Sequence, residues 1–122
     1  MIKISGSAIA SAGTIFVGDV DVVYKLSASG LASVFLNAAD FATIGIAFNS
    51  AGALYAAERE TNAIYAYTPS GVQGSFASVS SPYGVAVDSS GDVYTGAVGG
   101  GEIMKCTPEG AGSVFAASAG GV

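Results

Sequence analysis

The chain has 122 residues, of which 51% are hydrophobic and only 11% are charged. This length suffices for one domain with a modest core, and the composition excludes both a disordered segment and a set of solvated helices. The formal net charge of −5, with only four basic residues, argues against nucleic acid or an anionic membrane as a partner, since both need clustered Lys and Arg. No apolar run approaches the roughly 20 residues of a membrane span.

The N-terminal stretch MIKISGSAIASAG has a lysine at position 3 and small residues before Gly13, as a signal peptide does. Its apolar part is short and interrupted, and the same residues fit the repeat described below, so we interpret it as folded structure. We expect a soluble chain without a signal peptide or a transmembrane segment. The sequence does not indicate where in the cell the protein acts.

The spacing of glycine and aromatic residues reveals an internal repeat of 39 residues. Three sets of positions keep this interval: Gly6, Gly45 and Gly84; Gly13, Gly52 and Gly91; and Phe16, Tyr55 and Tyr94. The chain therefore divides into three units, 1–39, 40–78 and 79–117, followed by a tail at 118–122. We treat residues 1–122 as a single segment built from these units.

Each unit predicts four short strands joined by tight turns, so the chain is predicted to be all-β. In chain order, the strands are expected at 6–9, 14–18, 22–26 and 33–37; at 45–48, 53–57, 63–67 and 74–78; and at 84–87, 92–96, 103–106 and 113–117. The turn before Gly91 carries Asp88, Ser89 and Ser90, which is typical of a tight reversal. Pro82 is predicted to lie in a loop.

The third unit contains PYGVAVDSSGDVYTG, which resembles an NHL repeat with its proline, glycine, aspartate and tyrosine at fixed spacing. The second unit has Thr43 in place of the proline and Asn49 in place of the aspartate, and the first unit follows by register. The resemblance implies a β-propeller in which each unit is one four-stranded antiparallel blade. It also implies a ring of six blades, within the usual range of about 4 to 8.

Three blades cannot close a ring, so one face of blade 1 and one face of blade 3 would meet water. We expect those faces to carry Phe16, Tyr24 and Phe35 in blade 1, and Tyr94 and Phe115 in blade 3. The aromatic residues at repeat positions are also expected to form the core. A homodimer, with blade 1 of each copy against blade 3 of the other, would give a six-bladed ring. The alternatives are a monomer or open oligomer, and one half of a longer six-bladed protein.

The loops between second and third strands share one rim of a propeller with the linkers between blades. This rim is expected to hold six of the nine carboxylates, and Asp88, Asp92 and Glu109 lie at the other end. The candidate ligand-binding residues are Asp19, Asp21, Asp40, Glu58, Arg59, Glu60, Asn62, Tyr83 and Glu102. A small cationic ligand or a basic peptide would suit this rim. The simpler interpretation is that these are ordinary solvated hairpin loops.

Enzyme chemistry has little support in the residue types. A catalytic thiol at Cys106, the only cysteine, would need a nearby base, and the chain has no histidine. Cys106 is instead predicted to be a small buried strand residue. The resemblance to gluconolactonase-like propellers implies a divalent metal held by Glu, Asn and Asp, and Glu58, Asn62 and Asp19 are of the right types, although they form no recognisable motif. The resemblance to lyase-like propellers implies a histidine base, which this chain lacks.

The sequence therefore predicts a binding or scaffold module, with no catalytic residue and no resident cofactor assigned. A metal-dependent, lactonase-like hydrolase at the channel mouth is the alternative, and a structural unit that completes a larger protein is a third possibility. A divalent cation such as Ca²⁺ is an alternative ligand of the rim, although no compact loop has the alternating acids of a dedicated calcium site.

Overall fold

A computed structural model describes residues 4–9, 14–19, 22–37, 43–97 and 101–117 of the chain. These residues form twelve strands in three antiparallel sheets, and each sheet contains four strands that are consecutive in sequence. We call the sheets blades 1, 2 and 3. Blade 1 contains β1 (Ile4–Ile9), β2 (Ile15–Asp19), β3 (Val22–Leu26) and β4 (Ala32–Asn37). Blade 2 contains β5 (Thr43–Phe48), β6 (Leu54–Glu58), β7 (Ala63–Tyr67) and β8 (Gln73–Ser78); blade 3 contains β9 (Pro82–Val87), β10 (Val93–Ala97), β11 (Glu102–Cys106) and β12 (Gly112–Ala117).

The all-β prediction is confirmed, and every predicted strand lies within two residues of its observed bounds. One local prediction was wrong. Pro82 is not in a loop but is the first residue of β9, where it is buried and pairs with Ala97. Proline is tolerated at the first position of a strand because its missing N–H interrupts no further ladder bond. The described residues contain no helix that is long and apolar enough to cross a membrane.

The turns between the first two strands of blades 2 and 3 have the same construction. The side-chain oxygen of Asn49 accepts hydrogen bonds from the backbone N–H groups of Ala51 and Ala53, at 3.0 and 2.9 Å. Asp88 accepts the equivalent bonds from Ser90 and Asp92, at 3.0 and 2.9 Å. Asn49 and Asp88 therefore accept the same pair of backbone hydrogen bonds, so the turn keeps its conformation with either residue.

The apolar core lies between blades rather than within one blade, in two clusters. The first joins blades 1 and 2 through Phe16, Val23, Ile46, Leu54, Ala56 and Tyr67. The second joins blades 2 and 3 through Tyr55, Ala57, Ile64, Val79, Val93, Ala97 and Cys106. Every residue of β6 is buried, because blade 2 is covered on both faces. Cys106 is buried as predicted.

Blades 1 and 3 each have one face that no other described blade covers. Ile15 is 41% exposed, whereas its repeat equivalents Leu54 and Val93 are fully buried. Phe115 is 60% exposed, whereas Phe35 and Phe76 are partly buried against the two clusters.

The expectation for blade 1 needs a correction. Phe16 and Phe35 do not lie on its outer face but pack toward blade 2, where the ring centroids of Phe16 and Phe48 are 4.8 Å apart. The reason is the pleat: residues of β2 alternate between the two faces, so Phe16 and the exposed Ile15 point in opposite directions. The outer face of blade 1 is therefore marked by Ile15.

Candidate functional site

The register of the strands determines which loops meet at the rim. In blade 2, Thr43 pairs with Glu58, Glu58 with Ala63, and Ala63 with Ser78. The equivalent pairings in the other blades are Ile4 with Asp19, Val22 with Asn37, Pro82 with Ala97, and Glu102 with Ala117. The loops between second and third strands thus lie at the same end of each sheet as the linkers between blades, as the sequence predicted.

The rim loop of blade 2 brings together four of the candidate residues: Glu58, Arg59, Glu60 and Asn62. Arg59, Glu60 and Asn62 are exposed, whereas Glu58 is fully buried. The loop closes with a hydrogen bond from the backbone N–H of Asn62 to the carbonyl of Arg59, at 3.3 Å. Asn62 adopts a φ of 52°, in the left-handed region that asparagine tolerates better than most residues.

Asn62 also ties this loop to the linker that precedes blade 3. Its side-chain oxygen accepts a 2.8 Å hydrogen bond from the backbone N–H of Ser81, and its carbonyl accepts a 3.1 Å bond from the N–H of Val79. Ser81 has a φ of 46°, so the linker turns sharply at this point. Tyr83 follows two residues later and is exposed. The structure therefore places Asn62 and Tyr83, 21 residues apart in sequence, at one corner of the rim.

Glu58 is the candidate whose surroundings differ most from those expected of a solvated loop acid. It lies at the end of β6 and has no exposed surface. Tyr67, also buried, has its pKa raised to about 12. The largest cause is desolvation by burial, opposed by a hydrogen bond from Gln73 and reinforced by the charge of Glu58 and a hydrogen bond with it. The sequence offered no signal for this polar group, since Glu58 stands beside exposed charged residues.

The remaining candidates are spread more widely. The backbone of Asp19 ends β2, but its side chain is not described, and Asp21 and Asp40 lie outside the described residues. Glu102 begins β11 and is half-buried. Within the described part of the chain, no group of three or more His, Cys, Asp or Glu residues could hold a metal ion.

The opposite end of blade 3 carries its own small polar group. The hydroxyl of Tyr94 donates a 3.2 Å hydrogen bond to Asp88, and Lys105 lies 3.6 Å from Asp92. Desolvation opposes ionisation of Asp88, but hydrogen bonds from the backbone N–H groups of Asp92 and Ser90 and from Tyr94 outweigh it and lower the pKa of Asp88. These contacts stabilise the turn and strand end.

A shallow hollow of about 400 Å³ lies on the outer face of blade 3. It is lined by Tyr83, Gly84, Ala86, Tyr94, Gly96 and Ile103, and its walls are mainly apolar. The sequence did not predict this hollow, although Gly84, which belongs to the repeat set Gly6, Gly45 and Gly84, was a usable signal of a recess. The face is mainly apolar, and no other blade among the described residues covers it.

Comparisons with known proteins identify the architecture. No protein-family model and no curated protein matches the sequence. Among solved structures, the chain is similar to virginiamycin B lyase from Staphylococcus aureus, with a TM-score of 0.79 and 18% identity over 92% of this chain and 40% of that one. It is similar to a chain of a nidogen/laminin complex, with a TM-score of 0.87 and 16% identity over 98% of this chain and 50% of that one. A presumed gluconolactonase gives a TM-score of 0.75 and 21% identity over 93% and 49%.

These similarities concern the fold. The three neighbours are β-propeller proteins that differ in function, and identities of 16–21% carry no activity from them to this chain. The chain spans about 40–50% of the length of these neighbours. Its three four-stranded antiparallel sheets are thus blades of a partial β-propeller.

Proposed function

We propose that the protein is an NHL-like half-propeller that acts as a binding or scaffold module once two copies have joined into a six-bladed ring. The observation that carries the proposal is the contrast between repeat-equivalent positions. Ile15 is 41% exposed where Leu54 and Val93 are fully buried. A second copy would bury Ile15 against blade 3, as blade 1 buries Leu54 and blade 2 buries Val93.

In this ring, blade 1 of each copy would pack against blade 3 of the other. Both contacts in the dimer would be identical and would leave no uncovered face, as closed symmetry requires.

The solution mass tests the assembly directly. Size-exclusion chromatography with light scattering should give twice the 11.9 kDa of one chain, with dissociation on dilution. A mass of 11.9 kDa at all accessible concentrations would overturn the proposed ring.

The rim of the ring is the proposed ligand site, and its chemistry points to a cationic ligand. The net charge is −5, and Glu60 is exposed in the rim loop that also contains Asn62, whose side chain is hydrogen-bonded to Ser81. Doubling the chain doubles the acidic groups around one channel. A polyamine or a lysine-rich peptide would gain from this field.

Binding of spermidine and of a lysine-rich peptide, measured by calorimetry at low and high salt, tests the rim. We expect Glu60→Gln to weaken binding and Glu109→Gln, an exposed acid at the opposite end, to leave it unchanged. Equal effects of the two substitutions would show non-specific charge attraction and contradict a rim site.

A metal-dependent, lactonase-like hydrolase is the second candidate, favoured by the burial of Glu58 at the rim. Asn62, the amide considered with it, already accepts a hydrogen bond from Ser81, which reduces its capacity to bind a cation such as Ca²⁺. Hydrolysis of a simple sugar lactone should be assayed with added Ca²⁺, Mg²⁺ or Mn²⁺. The controls are the protein treated with a metal chelator and the Glu58→Gln variant. A metal-stimulated rate that Glu58→Gln abolishes would favour the hydrolase over the binding module.

A further inference from the structure

The first strands of blades 2 and 3, β5 and β9, approach each other closely at Gly45. A Cβ atom placed on Gly45 would lie 3.1 Å from the Cα of Gly84 and 3.1 Å from the carbonyl oxygen of Tyr83. Gly45 does not have a left-handed φ. The close approach of the β9 backbone, rather than a turn, is therefore what requires glycine at position 45.

Gly84 occupies the equivalent position one unit later, and no described residue of this chain requires it to be glycine. A Cβ atom there would meet no atom within 4 Å, and its φ is not left-handed. Glycine inside a strand costs about 0.5–1 kcal/mol relative to alanine, because it loses more conformational freedom on folding. Its presence at an open position indicates that another backbone approaches β9 there.

The turns before the fourth strands, and the phenylalanines in those strands, also pair between neighbouring blades and are left uncovered at the two ends of the chain. A Cβ atom placed on the turn glycine Gly71 would lie 3.5 Å from the carbonyl oxygen of Phe35 in the preceding blade, and one placed on Gly110 would collide with the carbonyl of Phe76. A Cβ atom on Gly30, the equivalent glycine of blade 1, would meet no described atom within 4 Å. Phe115, the equivalent of Phe35 and Phe76, is 60% exposed. The Gly30 turn of blade 1 thus has no phenylalanine of a preceding blade beside it, and Phe115 of blade 3 has no turn of a following blade beside it.

We infer that a second copy of this chain docks blade 1 onto blade 3 so that its β1 backbone, at Gly6, passes against Gly84 and its Gly30 turn lies beside Phe115. In this arrangement Gly84 has the role that Gly45 has within the chain. The inference rests on the proposed half-propeller function and defines the surface through which the two copies meet. The occupant is a second copy because the face continues the packing of the two blade junctions already present in the chain.

The same docking fills the hollow beside Gly84. Its lining residues Tyr94 and Ile103 are the equivalents of Tyr55 and Ile64, both of which are buried between blades 2 and 3. In the second copy, Ile15 has the position that Val93 has at the junction of blades 2 and 3. An exposed apolar side chain on each copy is therefore matched to an apolar recess on the other.

Two valine substitutions at equivalent glycines test this docking. Gly84→Val should leave the protomer folded, as judged by circular dichroism and cooperative unfolding, because a Cβ has open space there. It should raise the dissociation constant of the dimer on the order of 100-fold, since a branched side chain would prevent the close approach of β1. Gly45→Val is the matched comparison and should destabilise the protomer itself.

Further variants keep the result interpretable if Gly84→Val fails to fold. Phe115→Ser should also shift the equilibrium to monomer, whereas Val72→Ser, at an exposed turn of blade 2, should not. A wild-type protein that is dimeric and remains equally dimeric with Gly84→Val or Phe115→Ser would overturn the docking surface but not the dimer. A monomeric wild type would instead overturn the proposed function.

Discussion

Ser81 donates its backbone N–H to the side-chain oxygen of Asn62 across 2.8 Å, although the two residues are 19 positions apart. The bond joins the rim loop of blade 2 to the linker that starts blade 3. Both residues adopt left-handed φ values, 52° and 46°. The linker that leads to Tyr83 is thus held by two hydrogen bonds to Asn62, one to its side chain and one, from Val79, to its carbonyl.

Replacing Asn62 should therefore destabilise the fold more than an exposed loop residue normally does. Asn62→Ala loses the hydrogen bond and places alanine at a left-handed φ, which together cost about 1–3 kcal/mol. Asn62→Gly removes only the bond, and Asn62→Asp retains an acceptor, so both should be milder. Urea unfolding at a fixed protein concentration measures the series. An Asn62→Ala variant as stable as the wild type would contradict the role assigned to this bond.

Gly110 and Gly91 offer a comparison between two turn glycines of one blade. Both have left-handed φ values, 92° and 86°. A Cβ on Gly91 would be in ordinary contact with Pro108 at 3.5 Å, but a Cβ on Gly110 would collide with the carbonyl of Phe76. We expect Gly91→Ala to cost about 1–2 kcal/mol for φ alone, and Gly110→Ala about 1–3 kcal/mol more for the blade contact. Equal melting temperatures for the two variants would exclude a tight contact at Gly110.

Tyr67 should make the stability depend on alkaline pH. Its pKa is raised to about 12 in the folded chain, whereas an unfolded tyrosine ionises near pH 10. The folded state therefore holds the proton more tightly, so this contribution is complete below about pH 10 and is lost as the pH rises toward 12. The urea midpoint of the wild type should fall between pH 9.5 and about 11.5 more steeply than that of Tyr67→Phe. Parallel curves for the two proteins would contradict this.

Cys106 should resist thiol reagents in the folded protein. It is fully buried, and desolvation raises the pKa of its thiol, so both access and thiolate formation are disfavoured. Reaction with a chromogenic disulfide at pH 8 should be slow in buffer and rapid in denaturing urea. Rapid stoichiometric labelling of the native protein would show that the junction between blades 2 and 3 opens readily.

The repeat could be read from the sequence because the same glycines and aromatics are needed in each blade. Gly52 and Gly91 both have a left-handed φ, and Phe16 and Tyr55 fill the same place in the two junctions between blades. Their interval of 39 residues was therefore enough to predict the strands.

The surroundings of individual rim residues could not be predicted in this way. Glu58 and Glu60 stand two positions apart in the same loop region, yet Glu58 is fully buried and Glu60 is exposed. The difference arises from the face of β6 on which Glu58 lies and from the blade that covers it, which is a property of the junction. The bond between Asn62 and Ser81 likewise depends on how two turns meet in space.

Because each sheet is made only of strands that follow one another in the chain, no sheet depends on a strand borrowed from another blade. A cut in the linker between two blades would sever no sheet ladder, and new termini placed there would leave all three sheets intact. Two fragments separated at such a linker should accordingly keep their own sheets and reassociate through the apolar cluster between their blades.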